Sequence, residues 1–227
     1  MLVAACTQVP ITTPTATTLV VQGESHVLKS GEQEQLTASL LTPTGPQPSI
    51  SARWTSSRID VCDVGGDGIL TAIGAGTASV LAEVNGHQAA FDVRIVPSIQ
   101  GVWTGQSRLA DVVRLSGAGA FRPSPLLVGY YELRATQIHD RIQATDWLTN
   151  FREPLSGIID TAGSAALSGV LDDDDGRIRT NPWTAKLSQD GQTLSGSYVA
   201  TQTFVNFWGR QVIQYRFEDL SVRRSMR

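Results

Sequence analysis

The regular alternation of short β-forming segments with turn signals is the feature that most constrains this chain. From Thr18 to about Val96, turn-forming residues interrupt β-rich segments roughly every 8 to 12 residues. From Ile99 to Arg224 the segments remain β-rich and show no helical period. Short strands with this spacing fold into sandwiches or barrels, so the sequence predicts an all-β protein.

Length and composition exclude several classes of protein. Its 227 residues are enough for one large core or two modest ones, and length alone leaves both open. A net charge of −3 offers no basic surface for nucleic acid, and no apolar run reaches the roughly 18 to 20 residues of a membrane-spanning helix. Because there are only three His and two Cys, and no hydrolase, phosphate-loop or dinucleotide motif, we expect a protein that is not an enzyme and uses no cofactor.

The N-terminal segments have the pattern of a small β-sandwich. Apolar and polar residues alternate in the last segment, and the Asn85-Gly86 pair before it is a signal for a type I′ hairpin. We predict strands at Thr18 to Val21, Gln35 to Leu41, Ser51 to Thr55, Gly68 to Ile73, Ala78 to Val84 and His87 to Val96.

Two motifs make this part more specific. The run Arg53-Trp54-Thr55-Ser56-Ser57 precedes Gly68-Ile69-Leu70-Thr71-Ala72-Ile73-Gly74-Ala75-Gly76-Thr77-Ala78. Together they resemble the bacterial Ig-like domain of group 2, which carries a Trp before Ser-Ser and a G-x-(hydrophobic)-T-A-x-G-x-G-T-A hairpin. The resemblance covers residues 18–97 and implies an extracytoplasmic β-sandwich that serves as a spacer or adhesive module.

Residues 98–227 form the second predicted module, an antiparallel up-and-down barrel. A Leu-Ser-Gly motif recurs at Leu115, Leu155, Leu167 and Leu194, as expected where successive strands bend and pass close to their neighbours at glycines. Asp160-Thr161-Ala162-Gly163 and Gln189-Asp190-Gly191-Gln192 have the composition of hairpin turns. About eight strands fit into this length, enough to close a sheet and remove its edges.

The ends of this module add a second resemblance. Gly101-Val102-Trp103 at the first strand and Arg216 in the last strand are similar to the calycin pattern of lipocalins and avidins. In that pattern the Trp closes one end of the barrel, and a late Arg packs across its ring. The resemblance implies that Trp103 and Arg216 close this barrel, but the lipocalin Thr-Asp-Tyr box is missing and no ligand carries over.

Four aromatic residues are candidates for a ligand site at the barrel mouth: Tyr130, Trp147, Phe204 and Trp208. They suit a small apolar or amphiphilic ligand, although the same aromatics would equally well fill the core. Six arginines could favour an acidic ligand or could be scattered and solvated: Arg108, Arg114, Arg122, Arg134, Arg141 and Arg152.

The acidic run from Asp172 to Asp175 and the single histidine of the barrel give weaker signals. Asp172 and Asp174 could belong to a loose calcium site, but the EF-hand spacing is absent and a solvated turn is favoured. A barrel enzyme would need His139 to meet a carboxylate such as Asp146 or Glu132, whereas a solvated surface histidine is the favoured interpretation.

The N-terminus predicts a location. Val3-Ala4-Ala5-Cys6 resembles the bacterial lipobox, which implies lipidation at Cys6, and the following Thr/Pro-rich residues to position 17 would form a tether. Since only five residues precede Cys6, this interpretation needs a start codon upstream of Met1 or a trimmed chain. An accidental match in a short tail is the alternative.

These observations favour a non-enzymatic extracytoplasmic lipoprotein in the outer membrane, in the periplasm or on the cell surface. Its Ig-like domain would present a barrel that holds a small hydrophobic or amphiphilic ligand, and its only membrane contact would be a lipid anchor. The alternatives are an adhesion or envelope-structural protein with a filled barrel and a cell-envelope or surface partner, and a barrel enzyme using His139.

Overall fold

The computed structural model describes residues 17–47, 51–119, 128–148, 151–173 and 176–225, and within them the protein is all-β. Both parts of the chain are built from β-strands, as the alternation of β-forming segments and turns predicts. Within the described residues, none forms a helix with the length and hydropathy needed to cross a bilayer.

The described residues of the N-terminal part, 17–47 and 51–100, form ten strands arranged in three small sheets. Their orders are β1-β4-β5, β2-β10-β9-β6 and β3-β8-β7, and β2 runs parallel to β10 while the other pairs are antiparallel. The strands are β1 Thr18–Gln22, β2 Val27–Lys29, β3 Gln33–Gln35, β4 Thr37–Thr42, β5 Gly45–Gln47, β6 Arg53–Ser56, β7 Cys62–Val64, β8 Ile69–Ala72, β9 Gly76–Val84 and β10 His87–Val96.

This part is a β-sandwich built around alternating apolar residues. Asn85 and Gly86 join β9 to β10 with φ values of 50° and 81°, so both adopt the left-handed conformation that the type I′ signal predicts. Trp54 packs against both clusters of buried residues in the sandwich. Cys62 is completely buried in one of them, and burial raises the pKa of its thiol.

The C-terminal part is a closed barrel of eight antiparallel strands in sequence order, with β11 paired to β18. The strands are β11 Gly101–Ser116, β12 Val128–Ile138, β13 Arg141–Leu148, β14 Phe151–Ile159, β15 Ser164–Asp173, β16 Gly176–Leu187, β17 Thr193–Asn206 and β18 Gly209–Arg224. Both predicted hairpin turns lie where expected, between β14 and β15 and between β16 and β17. We call the end where β11 begins the lower end and the opposite end the upper end.

Three of the four Leu-Ser-Gly motifs explain how the barrel bends. Leu155, Leu167 and Leu194 are buried inside it, and the glycine two residues later lies against a neighbouring strand. A Cβ at Gly157 would meet the carbonyl oxygen of Ala166 at 1.9 Å, so only glycine permits this approach. Leu115 of the fourth motif is exposed near the upper end.

The lower end is closed by Trp103 and by the segment that joins the two domains. The Trp103 indole is fully buried and donates a hydrogen bond from Nε1 to the carbonyl oxygen of Ile99 at 2.8 Å. Val96 and Ile99 belong to the same buried cluster as the barrel core. The connecting residues are therefore part of the floor of the barrel.

The arginine across the Trp103 ring is Arg224, so the assignment of this role to Arg216 is corrected. The Arg224 guanidinium carbon lies 4.8 Å from the ring centroid, and its Nη2 donates to the carbonyl oxygen of Ser98. Arg216 is exposed, and the strand register places it opposite Asp111 of β11, farther up the barrel. The reason is the register between β11 and β18, which places Arg224 directly opposite Trp103.

Polar contacts hold the two domains together around the same floor. The buried Gln137 accepts a hydrogen bond from the Ile99 backbone at 2.8 Å and donates one to the carbonyl oxygen of Pro97 at 3.1 Å. The β12–β13 turn adds an ion pair between Asp140 and Arg94 at 2.8 Å. These contacts attach the sandwich directly to the lower end of the barrel.

We expect Arg224→Met to lower the free energy of unfolding by about 1 to 3 kcal/mol, since it removes a buried cation–π contact and leaves the Ser98 carbonyl unpaired. Arg216→Met is the matched control and should change it by less than about 0.5 kcal/mol, because Arg216 is exposed. Urea unfolding followed by tryptophan fluorescence checks both. Equal effects from the two variants would contradict the assignment of Arg224.

Candidate ligand-binding site

The barrel interior changes from apolar to polar between its lower and upper halves. Apolar side chains such as Leu133, Ile142 and Leu187 fill the lower half and are almost completely buried. Higher up, buried polar side chains face inward, among them Ser107, Asp146, Glu153 and Thr180. A barrel that needed only a core would have no use for these groups, because burying them costs free energy.

A layer of aromatic side chains spans the barrel between the two halves. Trp183 of β16 donates a hydrogen bond from Nε1 to the hydroxyl of Tyr131 on the facing strand β12 at 2.8 Å. Tyr198 stacks on Phe217, with ring centroids 4.4 Å apart, and its hydroxyl lies 3.2 Å from that of Ser107. The layer separates the packed lower core from the space above it.

Asp146 and Glu153 form a carboxylate pair beside this layer. They are directly opposite each other on β13 and β14 and both are nearly fully buried. The Tyr131 hydroxyl donates to Asp146 Oδ2 at 3.3 Å. Glu153 accepts hydrogen bonds from the backbone N–H and the hydroxyl of Thr180, at 2.9 and 2.6 Å.

The environments of the two carboxyl groups separate their protonation behaviour. Burial, and after it the negative charge of Glu153, raises the pKa of Asp146 to about 7. Burial also raises the pKa of Glu153, although the two hydrogen bonds from Thr180 oppose this. Near neutral pH Asp146 is therefore partly protonated, and its carboxyl group can donate or accept a proton.

Above the aromatic layer several inward-facing side chains are only partly buried, although Gln211 and Ile213 of β18 are buried. The partly buried side chains include Leu109, Ile178, Ala200, Gln202 and Tyr215, which alternate with outward residues on their strands. The Tyr215 hydroxyl donates to the Gln202 amide oxygen at 3.2 Å. Partial exposure of these residues indicates that solvent reaches part of the upper barrel, above the buried carboxylate pair.

The structure does not bring Tyr130 and Trp147 to this lumen. Side chains alternate along a strand, and since Tyr131 and Asp146 point inward, their neighbours Tyr130 and Trp147 point outward. On the outer face Trp147 lies between the guanidinium groups of Arg134 and Arg152, whose central carbons are 4.2 and 4.7 Å from its ring centroid.

Phe204 and Trp208 occupy different places. Phe204 continues the inward alternation of β17 and is half-buried near the upper rim. Trp208 lies in the β17–β18 turn, where it is 61% exposed, and makes an edge-to-face contact with Phe207, which is 93% exposed. Of the four predicted ligand residues, only Phe204 therefore belongs to the lumen.

His139 does not meet a carboxylate inside the barrel. It lies in the β12–β13 turn at the lower end with φ 54°, and its Nδ1 is 3.2 Å from Glu32 of the N-terminal domain. Glu132 points outward and pairs with Arg134 at 2.6 Å. The geometry required for an enzyme that uses His139 is thus not formed.

The remaining predicted positions give no metal or lipid site in the described residues. Asp172 pairs with Arg177 at 2.9 Å, and Asp174 and Cys6 lie outside the described residues. A search of the described His, Cys, Asp and Glu side chains finds no group of three or more that could hold a metal ion.

Comparison with known proteins adds no relative. No protein-family model matches the chain, and no curated protein matches it significantly.

Glu153 is the site residue that sequence reasoning missed. The sequence contains a signal for it, because Glu153 stands two residues before Leu155 and therefore lies on the same, inward face of its strand. In the same way, Asp146 lies on the face of Ile142 and Ala144. A carboxylate on the apolar face of a strand is unusual, and two on neighbouring strands form a pair only once register is known.

We expect Asp146→Asn to remove a pH dependence of stability. Asp146 holds its proton more tightly in the folded chain than in the unfolded one, so the free energy of unfolding should fall as pH rises from about 4 to about 7. The variant should flatten this decline and be more stable at pH 8 by on the order of 2 to 4 kcal/mol.

Urea unfolding between pH 4 and pH 8 measures the effect, and Asp111→Asn on the exposed outer face of β11 is the matched control. The control should keep the slope of the unmodified protein. If Asp146→Asn keeps it as well, the buried protonation of Asp146 is ruled out.

Proposed function

We propose that this protein is a non-enzymatic binding module whose barrel holds one small amphiphilic molecule in its upper half. The main observation behind this proposal is the contrast between the two halves of the barrel. The lower half is packed and closed by Trp103. In the upper half, Leu109, Ala200 and Tyr215 face inward and are partly exposed above a buried carboxylate pair, while Gln211 and Ile213 remain buried. Barrels of eight strands have room for one small ligand in such a space.

The side chains of the lumen suggest what kind of molecule it would accept. Leu109, Ile178 and Ala200 offer an apolar wall for the body of the ligand. Asp146 and Glu153 lie deeper and favour a polar end that donates hydrogen bonds or carries a basic group. The ligand class that fits both is an amphiphile which enters with its polar end first.

We assign the carboxylate pair to recognition and not to catalysis. Among the described inward-facing residues of the barrel, no histidine, lysine or cysteine stands beside Asp146 or Glu153 to act as nucleophile or proton-transfer partner. Buried groups with shifted pKa values occur in binding sites as well as active sites.

The N-terminal domain would then be a spacer at the cell envelope. The resemblance to bacterial Ig-like domains of group 2 and the lipobox-like sequence ending at Cys6 both support an extracytoplasmic lipoprotein. The polar contacts of Gln137 and Asp140 favour fixed presentation of the barrel over loose tethering. Incorporation of a clickable fatty acid in a bacterial host, abolished by Cys6→Ala in a chain with its own leader, tests the anchor.

An adhesive or envelope-structural role is the second candidate, favoured by the apolar tip at the upper end. Val205, Phe207 and Trp208 are exposed there, on the side of the barrel opposite the sandwich. Replacing Phe207 and Trp208 with Ser would weaken adhesion to envelope preparations if the tip makes the contact, and would leave binding in the lumen unchanged.

Filling the lumen tests the main proposal. We expect dodecylamine, titrated below its micelle concentration, to change tryptophan fluorescence with a saturable curve, because Trp183 borders the site. Ala200→Trp should weaken binding at least tenfold, since the added ring occupies the lumen. The control is Thr201→Trp, which adds the same ring to the outward face of the same strand.

Gln202→Trp provides a second lumen variant in case Ala200→Trp unfolds the barrel, and thermal unfolding monitors both. Dodecanoate and dodecanol report how much the basic head contributes. Absence of saturable binding for all three amphiphiles, or equal binding by the lumen and outward variants, would show that the barrel does not hold such a ligand.

A further inference from the structure

A second concave site lies on the outside of the barrel wall. It has a volume of about 1090 Å³ and crosses the outward faces of β11 to β16 in their lower and middle parts. We call it the outer groove. Its exposed side chains, such as Arg134, Gln143, Ser156 and Arg179, face outward, whereas the inward-facing Ala135, Ala144, Leu155 and Thr180 that also line it are buried.

The strand register explains the shape of the outer groove. Two adjacent rows of outward side chains cross the strands, and small residues occupy the centre of both rows. At Gly169 the strands approach so closely that a Cβ would lie 2.1 Å from the carbonyl oxygen of Pro154. The first row contains Val102, Arg134, Thr145, Pro154, Val170 and Arg179, and the second contains Thr136, Gln143, Ser156 and Ser168.

The charges of the outer groove have one sign. Among the described residues that line it, Arg134 and Arg179 are the charged ones and none is a carboxylate, although the chain as a whole has a net charge of −3. Arg134 is held by Glu132 and lies over Trp147, whereas Arg179 is exposed and has no ion-pair partner among the described residues. Four strand spacings separate the two arginines, which is about 19 Å along the sheet.

We propose that the outer groove binds an acidic polysaccharide. Its hydroxyl and amide side chains, from residues such as Gln143, Ser156 and Ser168, suit the hydroxyl groups of sugars. Arg179, which has no ion-pair partner among the described residues, suits a sulfate or carboxylate group, which guanidinium binds with two parallel hydrogen bonds.

A peptide fits the same surface less well. Strands β12 to β15 are paired on both sides, so they offer a peptide no backbone edge to extend. The groove also provides few apolar side chains to bury peptide residues, because the outward-facing Val102, Pro154 and Val170 are separated by polar ones.

The test uses the full chain and four polymers: heparin as a sulfated polysaccharide, polygalacturonate as a carboxylated one, dextran as a neutral one, and poly-glutamate as an acidic peptide. We expect calorimetric binding to heparin or polygalacturonate and none to dextran. Arg179→Gln should weaken that binding at least fivefold. The matched control is Arg177→Gln, on the same outward face of β16 but outside the groove, which should change affinity less than twofold.

A steric pair of variants separates the groove from general electrostatic attraction. Ser156→Tyr fills the centre of the groove, while Ser195→Tyr adds the same ring to an exposed position on β17 outside it. The proposal requires that only Ser156→Tyr weakens binding. It is overturned if neither acidic polysaccharide binds, if poly-glutamate binds as tightly, or if the variants of each pair have equal effects.

Discussion

The contact of Trp103 with Ile99 and Arg224 is the interaction on which the rest of the structure depends. One indole closes the barrel, receives the guanidinium from the last strand and donates its N–H to the segment that leads in from the sandwich. A cation over an indole is strongest where water is excluded, and this ring is fully buried. Because the floor and the domain junction are the same set of contacts, the lumen can open only at the upper end.

The polar layer above that floor has a clear physical cost. Placing two carboxylates opposite each other on adjacent strands in a buried setting is unfavourable. The fold reduces the cost because the raised pKa of Asp146, about 7, leaves it partly protonated near neutral pH, and because Thr180 gives Glu153 two hydrogen bonds. A chain selected only for stability would place apolar residues there. The layer is therefore the strongest indication that the upper half of the barrel has a function.

Much of the fold could be predicted from the sequence, because its determinants are local. The Asn85-Gly86 hairpin, the strand count of the barrel and the close approaches at the Leu-Ser-Gly glycines all follow from residues within a few positions of each other. The site could not be predicted in the same way. Whether Arg216 or Arg224 faces Trp103 depends on pairing between the first and last strands of the barrel, which lie far apart in the sequence and whose register is interrupted by bulges.

The aromatic residues show the same limit on a smaller scale. Tyr130 and Tyr131 are adjacent in sequence, but their side chains lie on opposite faces of β12. A prediction that is wrong by one residue therefore places a side chain on the outer wall when it belongs in the lumen, or the reverse. Glu153 is recognised as a site residue only when the register places it opposite Asp146 on the neighbouring strand.

Native mass spectrometry of the protein purified from its own host is the measurement that tests the central claim most directly. The account predicts a population carrying one additional small molecule, released by mild activation and absent when Ala200→Trp fills the lumen. If the protein carries no small molecule, or if the molecule remains in the lumen-filled variant, the account of the upper barrel as a binding site is contradicted.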